Sequence, residues 1–282
     1  MRLIAPVTVA ALGLSLATPA SDVLSAELRP PTVLAWDGYV RAVEARIDTE
    51  LRTTTPFLVL ERLPQGEQQK AAAALASGAV FITQVPGPTL RGPSPVIPDG
   101  LVHHWLGVVR IPGARVDDVL AFVQRYDDSP RYFDDAIASK LVQRNGDDFE
   151  VFLKLKREKS VLGYRVSKVY NTTHRVAYRR IDATHAASRS VATRIAELAD
   201  ADKPNGPENP IGHDAGYLWR LNSYWRFVET GDGVTVECES VTLSRDIPSI
   251  LSWFVAEIVE GIARESVEQT LGSIKNGVKR AG

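Results

Sequence analysis

The sequence predicts an α+β domain, with an antiparallel sheet packed on one long C-terminal helix and a small α/β extension ahead of it. Three observations carry this. Between Ile137 and Arg245 the chain runs through segments in which apolar and polar residues alternate, the period of half-buried antiparallel strands. From Pro248 to Val278 the period changes to that of an amphipathic helix. Ahead of both, residues 27–85 read as a short mixed unit set apart by a proline-rich stretch.

Taken in order, Leu3 to Leu16 is apolar and uncharged and is followed by small residues up to Ala20. This reads as a secretory signal over residues 1–20, so the chain is expected to be exported, periplasmic or secreted. The run is short for a membrane span, and no transmembrane segment is expected once it is removed. Trp36, Val40, Val43, Ile47 and Leu51 then recur at helical spacing, with Arg41, Glu44, Asp48 and Glu50 on the other face. Phe57–Leu63 reads as a short strand, 67–77 as a helix ended by Gly78, and 79–85 as another strand. Val85–Gly100 contains five prolines and three glycines, which rules out a regular element; it is a linker or a strap over the main domain.

The ligand-binding domain is expected over residues 101–282. Leu101–Ile111 is strand-like and stops at Pro112-Gly113. Val116, Val119, Leu120 and Val123 mark a short helix, broken at Ser129-Pro130. Phe149, Val151, Leu153 and Leu155 alternate with Glu150, Lys154 and Lys156. Further strands are expected over 160–171, 174–182, 187–198, 217–229 and 234–245, with an irregular loop at 201–216. The last two strands form a hairpin through Thr230-Gly231-Asp232-Gly233. If Glu229 faces Val234, then Trp219, Leu221, Trp225 and Phe227 share an apolar face with Val236 and Cys238. Arg226 then lies across from Glu237, and Tyr224 across from Glu239. A one-residue slip would set Trp225 against Glu239, so this register is preferred. On the terminal helix, Ile250, Phe254, Ile258 and Ile262 form one row that needs a broad apolar partner, and the sheet is the one available.

Composition narrows function without naming it. The 282 residues are 44% hydrophobic and 24% charged, with 33 basic and 34 acidic side chains and a net charge of −1. That balance argues against a nucleic-acid binder, which needs a basic excess, and against a polybasic membrane anchor. The single cysteine excludes an intramolecular disulfide and a cysteine-based zinc cage. His103 and His104 are neighbours on a strand and point to opposite faces, so they do not share a metal. No nucleophile elbow, zincin, P-loop or dinucleotide motif occurs, and no catalytic residue, metal or cofactor is assigned. Cys238 reads as structural. Arginines are the one polar excess of the strand region. For these the hairpin register favours an exposed convex face of cross-strand ion pairs.

The element order resembles the START-like superfamily, which joins the steroidogenic-acute-regulatory-related lipid-transfer proteins, the birch-pollen-allergen-like proteins and the polyketide cyclases and dehydrases (SRPBCC). The resemblance lies in VHHWLGVVRIPGARVDDVLAFVQRYDDSPRYF at 102–133, LWRLNSYWRF at 218–227 and VECESVTLSRDIPSILSWFV at 236–255, and it covers about 100–280. It looks like an exported bacterial branch of that group, and residues 27–85 are outside the usual pattern. The resemblance implies a helix-grip fold, a curved antiparallel sheet wrapped around the C-terminal helix with a cavity between them. The implied partner is a hydrophobic small molecule such as a lipid or isoprenoid, with room for transient membrane contact and none for nucleic acid. The expected lining is Tyr178, Arg194, Trp219, Leu221, Trp225, Phe227 and Val236 from the sheet and Trp253, Phe254 and Ile258 from the helix. A buried contact from Arg194 or Arg220 to an acidic group is implied only by this resemblance. Two other functions stay open. One is a cyclase- or dehydratase-type enzyme using an ionisable pair in the cavity, such as Arg194 with His185 or Tyr178. The other is an interaction module whose groove is filled by residues 27–85, a segment that, with loop 201–216, is also a candidate lid.

Overall fold

Alternating segments become strands here because each side of the sheet they form is covered by something different. The computed structural model describes residues 26–281 apart from 93, 162–163 and 247–251, with the backbone alone for 159–161, 164–166, 252–260 and 281. The expected signal segment, Pro248, Ile250 and Leu251 lie outside the described residues. The elements are β1 (Ala26–Glu27), α1 (Pro30–Glu50), α2 (Gln65–Ala76), β2 (Phe81–Gln84), β3 (Gly100–Pro112), α3 (Val116–Val123), β4 (Ala136–Asn145), β5 (Asp148–Val161), β6 (Tyr164–Arg180), β7 (His185–Glu197), β8 (His213–Asp214), β9 (Arg220–Thr230), β10 (Gly233–Arg245) and α4 (Ser252–Ala281).

Eight strands form one antiparallel sheet in the order β2-β3-β10-β9-β7-β6-β5-β4. α4 touches β3 and β10 towards one edge and β5 towards the other, a reach that requires the sheet to curl around the helix. This is the helix-grip arrangement. The hairpin register is the expected one: Val234 pairs with Glu229, Glu237 with Arg226 and Cys238 with Trp225. The two strands expected at 160–171 and 174–182 are one strand, β6.

The described C-terminal half of the helix is firmly gripped. Val267, Leu271, Ile274 and Val278 are buried with Val109, Ile111, Phe122 and Val236. Gly107 lets α4 approach β3. A Cβ there would lie 2.5 Å from Leu271 Cδ1 and 2.6 Å from Val267 Cγ1, closer than carbon atoms tolerate. Gly277 does the same for Phe122 of α3, whose ring sits where a side chain would be.

None of the described residues of 27–85 lines the concave cavity, although Val80 and Ile82 pack against the α4 core at its edge. α1 lies on the opposite, convex face, where Trp36, Tyr39, Val43 and Ile47 pack on Trp219, Tyr224, Val241 and Leu243. β2 adds an edge strand beside β3. Phe57–Leu63 is not a strand: it ends in a 3-10 turn at Leu60–Arg62, and its N–H groups are taken by carboxylates rather than by a neighbouring strand. Phe57 and Leu58 donate to Glu61 at 2.7 and 2.8 Å, and Val59 and Leu60 donate to Glu237 at 2.8 and 2.9 Å. The proline-rich stretch runs back over α1: Arg46 Nε donates to the Pro88 carbonyl at 2.8 Å, and Ile97 is buried in the α1 cluster.

The convex face was expected to be an exposed field of ion pairs. Under α1 it is instead a buried one. Arg226, Glu237 and Glu239 are 2%, 1% and 1% exposed. Arg226 bridges Glu50 of α1 and Glu237, and also donates to the Phe57 carbonyl. Arg46 bridges Glu50 and Glu239. His104 Nε2 lies 2.7 Å from a Glu239 carboxylate oxygen, and its Nδ1 lies 2.8 Å from the Tyr39 hydroxyl. Buried charge is tolerated only when paired and hydrogen-bonded in this way.

Candidate functional site

On the concave face, period two sends Ser188 and Ser190 of β7, Leu221, Ser223, Trp225 and Phe227 of β9, and Cys238 and Ser240 of β10 towards α4. There they line a cavity of about 210 Å³. Val151, Leu153, Leu155 and Val176 supply an apolar wall from β5 and β6, and Val267 and Ile274 one from α4. Val123, Tyr126 and Phe133 close it from the α3–β4 segment. Among the described residues, α4 brings Ser266, Val267, Thr270 and Ile274 to this part of the sheet.

Four polar features interrupt the apolar lining. The Tyr126 and Tyr178 hydroxyls are 2.7 Å apart. Burial and the mutual contact raise Tyr126 well above its ordinary pKa; burial pushes Tyr178 up to about 12. Both are neutral at physiological pH, and one hydroxyl donates to the other. Arg157 is ion-paired with Asp135. His174 bonds Thr172 at 2.9 Å and faces Ser190 at 3.4 Å; burial, helped by nearby Arg157, pulls its pKa down to about 4, so the ring is uncharged. The serines form a cross-strand row, Ser190 opposite Ser223 and Ser223 opposite Ser240, and Trp225 Nε1 donates to Ser223 at 3.1 Å. Burial, with Glu237 and Glu239 nearby, raises the Cys238 thiol far above its usual pKa, so it is no nucleophile.

Of the expected lining residues, Tyr178, Leu221, Trp225 and Phe227 stand together in this wall. Three do not. Val236 is fully buried in the solid core beside α4. Trp219 precedes β9, and alternation does not extend back to it: its N–H pairs with the Leu243 carbonyl and its indole crosses to the α1 side, donating to Asp214 at 3.2 Å. Arg194 is displaced by a β-bulge. Thr173 pairs with Arg194 but His174 pairs with Ala192, so Thr193 is the extra residue and Arg194 changes face. It forms an exposed ion pair with Glu208. His185 is held by Asp182 at 2.9 Å, away from the cavity lining. Trp253, Phe254 and Ile258 lie on α4 at positions whose side chains are outside the described residues. Arg220 donates to the Trp219 carbonyl.

Residue spacing does not single out Tyr126, His174, the Arg157–Asp135 pair or the serine row. Ser223 and Ser240 are placed on the right face by the hairpin register, but their aromatic neighbours carry the stronger signal. Among the described residues no group of His, Cys, Asp and Glu is placed to hold a metal ion, and no helix is long and apolar enough to cross a membrane.

No family model matches the chain, and no curated protein matches it. Solved structures do. An aromatase/cyclase from Streptomyces sp. R1128 is 13% identical over 64% of this chain and 95% of its own, with a TM-score of 0.42. A STAR-related lipid transfer protein from Xanthomonas axonopodis is 18% identical over 64% of this chain and 97% of its own, at 0.36. Human STARD10 is 8% identical over 73% of this chain and 77% of its own, at 0.42. All three likenesses are at low sequence identity.

Proposed function

We propose that the protein is an exported, START-like binder that carries a hydrophobic small molecule between β5–β10 and α4. The observation that carries this is the 210 Å³ cavity with its largely apolar wall. That volume exceeds the roughly 150 Å³ of a cavity that holds benzene and falls short of the ~300–1,000 Å³ of ordinary ligand pockets. It suits one or two rings or a single short chain, and not a two-chain lipid. Burying about 200 Å² of such a ligand at ~25 cal/mol per Å² supplies about 5 kcal/mol before ordering costs. Export rests on the N-terminal apolar run, and the paired cations leave the guest to be held by shape and apolar contact.

Native mass spectrometry of protein purified from its exporting host tests this. The expected result is a co-purifying organic compound of low polarity. Empty protein that also takes up no hydrophobic probe would sink the carrier reading.

A second reading is an enzyme of the cyclase or dehydratase type. The Tyr126–Tyr178 and Arg157–Asp135 pairs in the same wall favour it, since both offer positioned donors inside a partly dry space. Conversion of a polyketide-like substrate, lost in Tyr178→Phe, is its test.

A further inference from the structure

The cavity adjoins a smaller space of about 60 Å³, and the two share Arg157, Leu221, Ser240 and Ser266 in their walls. The annex differs in character. Tyr170, His103 and Thr242 line it, together with Ser240. Tyr170 is 1% exposed, and its hydroxyl has no hydrogen-bond partner among the described residues. Buried hydroxyls are rarely left bare, because the lost solvation is not recovered elsewhere. An unpartnered one in the wall of a void marks a place for a ligand atom.

The charge around the annex specifies that atom. Arg157 is neutralised by Asp135, and Lys168 by Glu197 at 2.7 Å. His103 bonds the Ser244 hydroxyl at 2.9 Å and, buried as it is, stays uncharged. No described cation is left over to balance an acid. At about 60 Å³ the space is less than a third of the main cavity's 210 Å³, which suits one small polar group.

We propose that the annex is a subsite for the uncharged polar end of the guest, an alcohol, phenol or ketone oxygen, with the Tyr170 hydroxyl as its hydrogen-bond donor, and that it rejects acids. This rests on the carrier reading, since the guest's apolar body must occupy the adjoining cavity.

Three matched probes test it by titration calorimetry on the full chain at pH 7: butylbenzene, 4-butylphenol and 4-butylbenzoate. The phenol is expected to bind about fivefold tighter than the hydrocarbon, and the benzoate more weakly than either. Tyr170→Phe, which removes only an unpaired oxygen, should erase the phenol's advantage and leave butylbenzene unchanged. Equal binding of phenol and hydrocarbon to the wild type overturns the subsite. So does an advantage that survives Tyr170→Phe, or tightest binding by the benzoate. If none of the three binds, the hydrophobic-carrier reading itself fails, and the subsite with it.

Discussion

The two faces of the β9–β10 hairpin are buried by opposite means. On the concave side, Trp225, Phe227, Cys238 and Ser240 meet space and an apolar helix. On the convex side, one residue out of step, Arg226, Glu237 and Glu239 meet Arg46 and Glu50 of a covering helix and form a dense ionic layer. Alternation alone does not say which side is solvent. Here neither is, and the charged side is the more tightly sealed of the two. Close packing lies on the convex face, and the looser face keeps the void.

The largest test of that contrast is to break each face in turn. Arg226→Leu leaves Glu50 and Glu237 buried without their shared cation and should cost about 3–5 kcal/mol in urea unfolding, with residues 26–85 released first to proteolysis. Ser240→Val on the other side of the same hairpin should change stability by less than about 1 kcal/mol, because there is room for it. Equal costs would show that the faces are not differently packed.

Next in size is the contrast within the concave face itself, tight at β3 and open at β5–β9. Gly107→Ala forces a methyl into Leu271 and Val267 and should cost about 1–3 kcal/mol. A neutral result would mean that α4 stands further from β3 than these contacts imply.

Two sets of buried groups also titrate in opposite senses. Burial holds His103 and His174 near pKa 4 against 6.5 in the unfolded chain. Unfolding therefore takes up protons, and stability falls as pH drops from 6.5 to 4. Burial raises Glu237 from 4.5 to about 7, and Asp214 from 3.8 to about 6. Their contribution is full below the unfolded values and is lost as pH rises through the folded ones. Between pH 4.5 and 6 the two senses offset, and wild-type stability should be nearly level. Below that it should fall, because Glu239, held down at about 2 in the folded protein chiefly by His104 against the cost of burial, protonates first in the unfolded chain. Glu237→Gln should tilt the level region so that stability rises with pH, by about 1.4 kcal/mol per unit for each proton left uncompensated. The His103→Gln, His174→Gln double variant should tilt it the other way. Chemical denaturation from pH 4.5 to 6 reads both slopes, and level profiles in both variants would refute the assignment.

The smallest effect compares covered with uncovered ion pairs on the same convex surface. Arg194→Ala removes an exposed pair with Glu208 and should cost no more than about 0.5–1 kcal/mol, with probe binding unaltered. A large loss of binding would return Arg194 to the cavity wall.

Much of this was readable from residue spacing. The hairpin register followed from pairing Arg226 with Glu237 and keeping Trp225 from Glu239, since a slip penalises every residue at once. The long terminal helix followed from its stripe. The site was legible only in part. Leu221, Trp225 and Phe227 obeyed alternation, but Trp219 lies before the strand begins, and the extra residue Thr193, which turns Arg194 outward, leaves no mark in composition. The covering helix was hidden for another reason. Arg46 and Glu50 look like solvent-facing residues of an ordinary amphipathic helix, and Glu237 and Glu239 like an exposed strand face. Neither pattern reveals that the two charged surfaces meet, because complementarity between distant segments is not a periodic signal. Tyr170 was invisible because its importance lies in a bond it does not make.

Because the ladder from Leu221 to Leu243 has a different client on each side, its reading frame matters more than its spelling. Adding or deleting one residue within either arm would push carboxylates into the oily chamber and deliver indole to a salt lattice, a double failure that no compensating substitution repairs. Length changes should survive only at the Gly231-Asp232 tip, so a deletion scan would draw a sharp silent arc with one permissive notch.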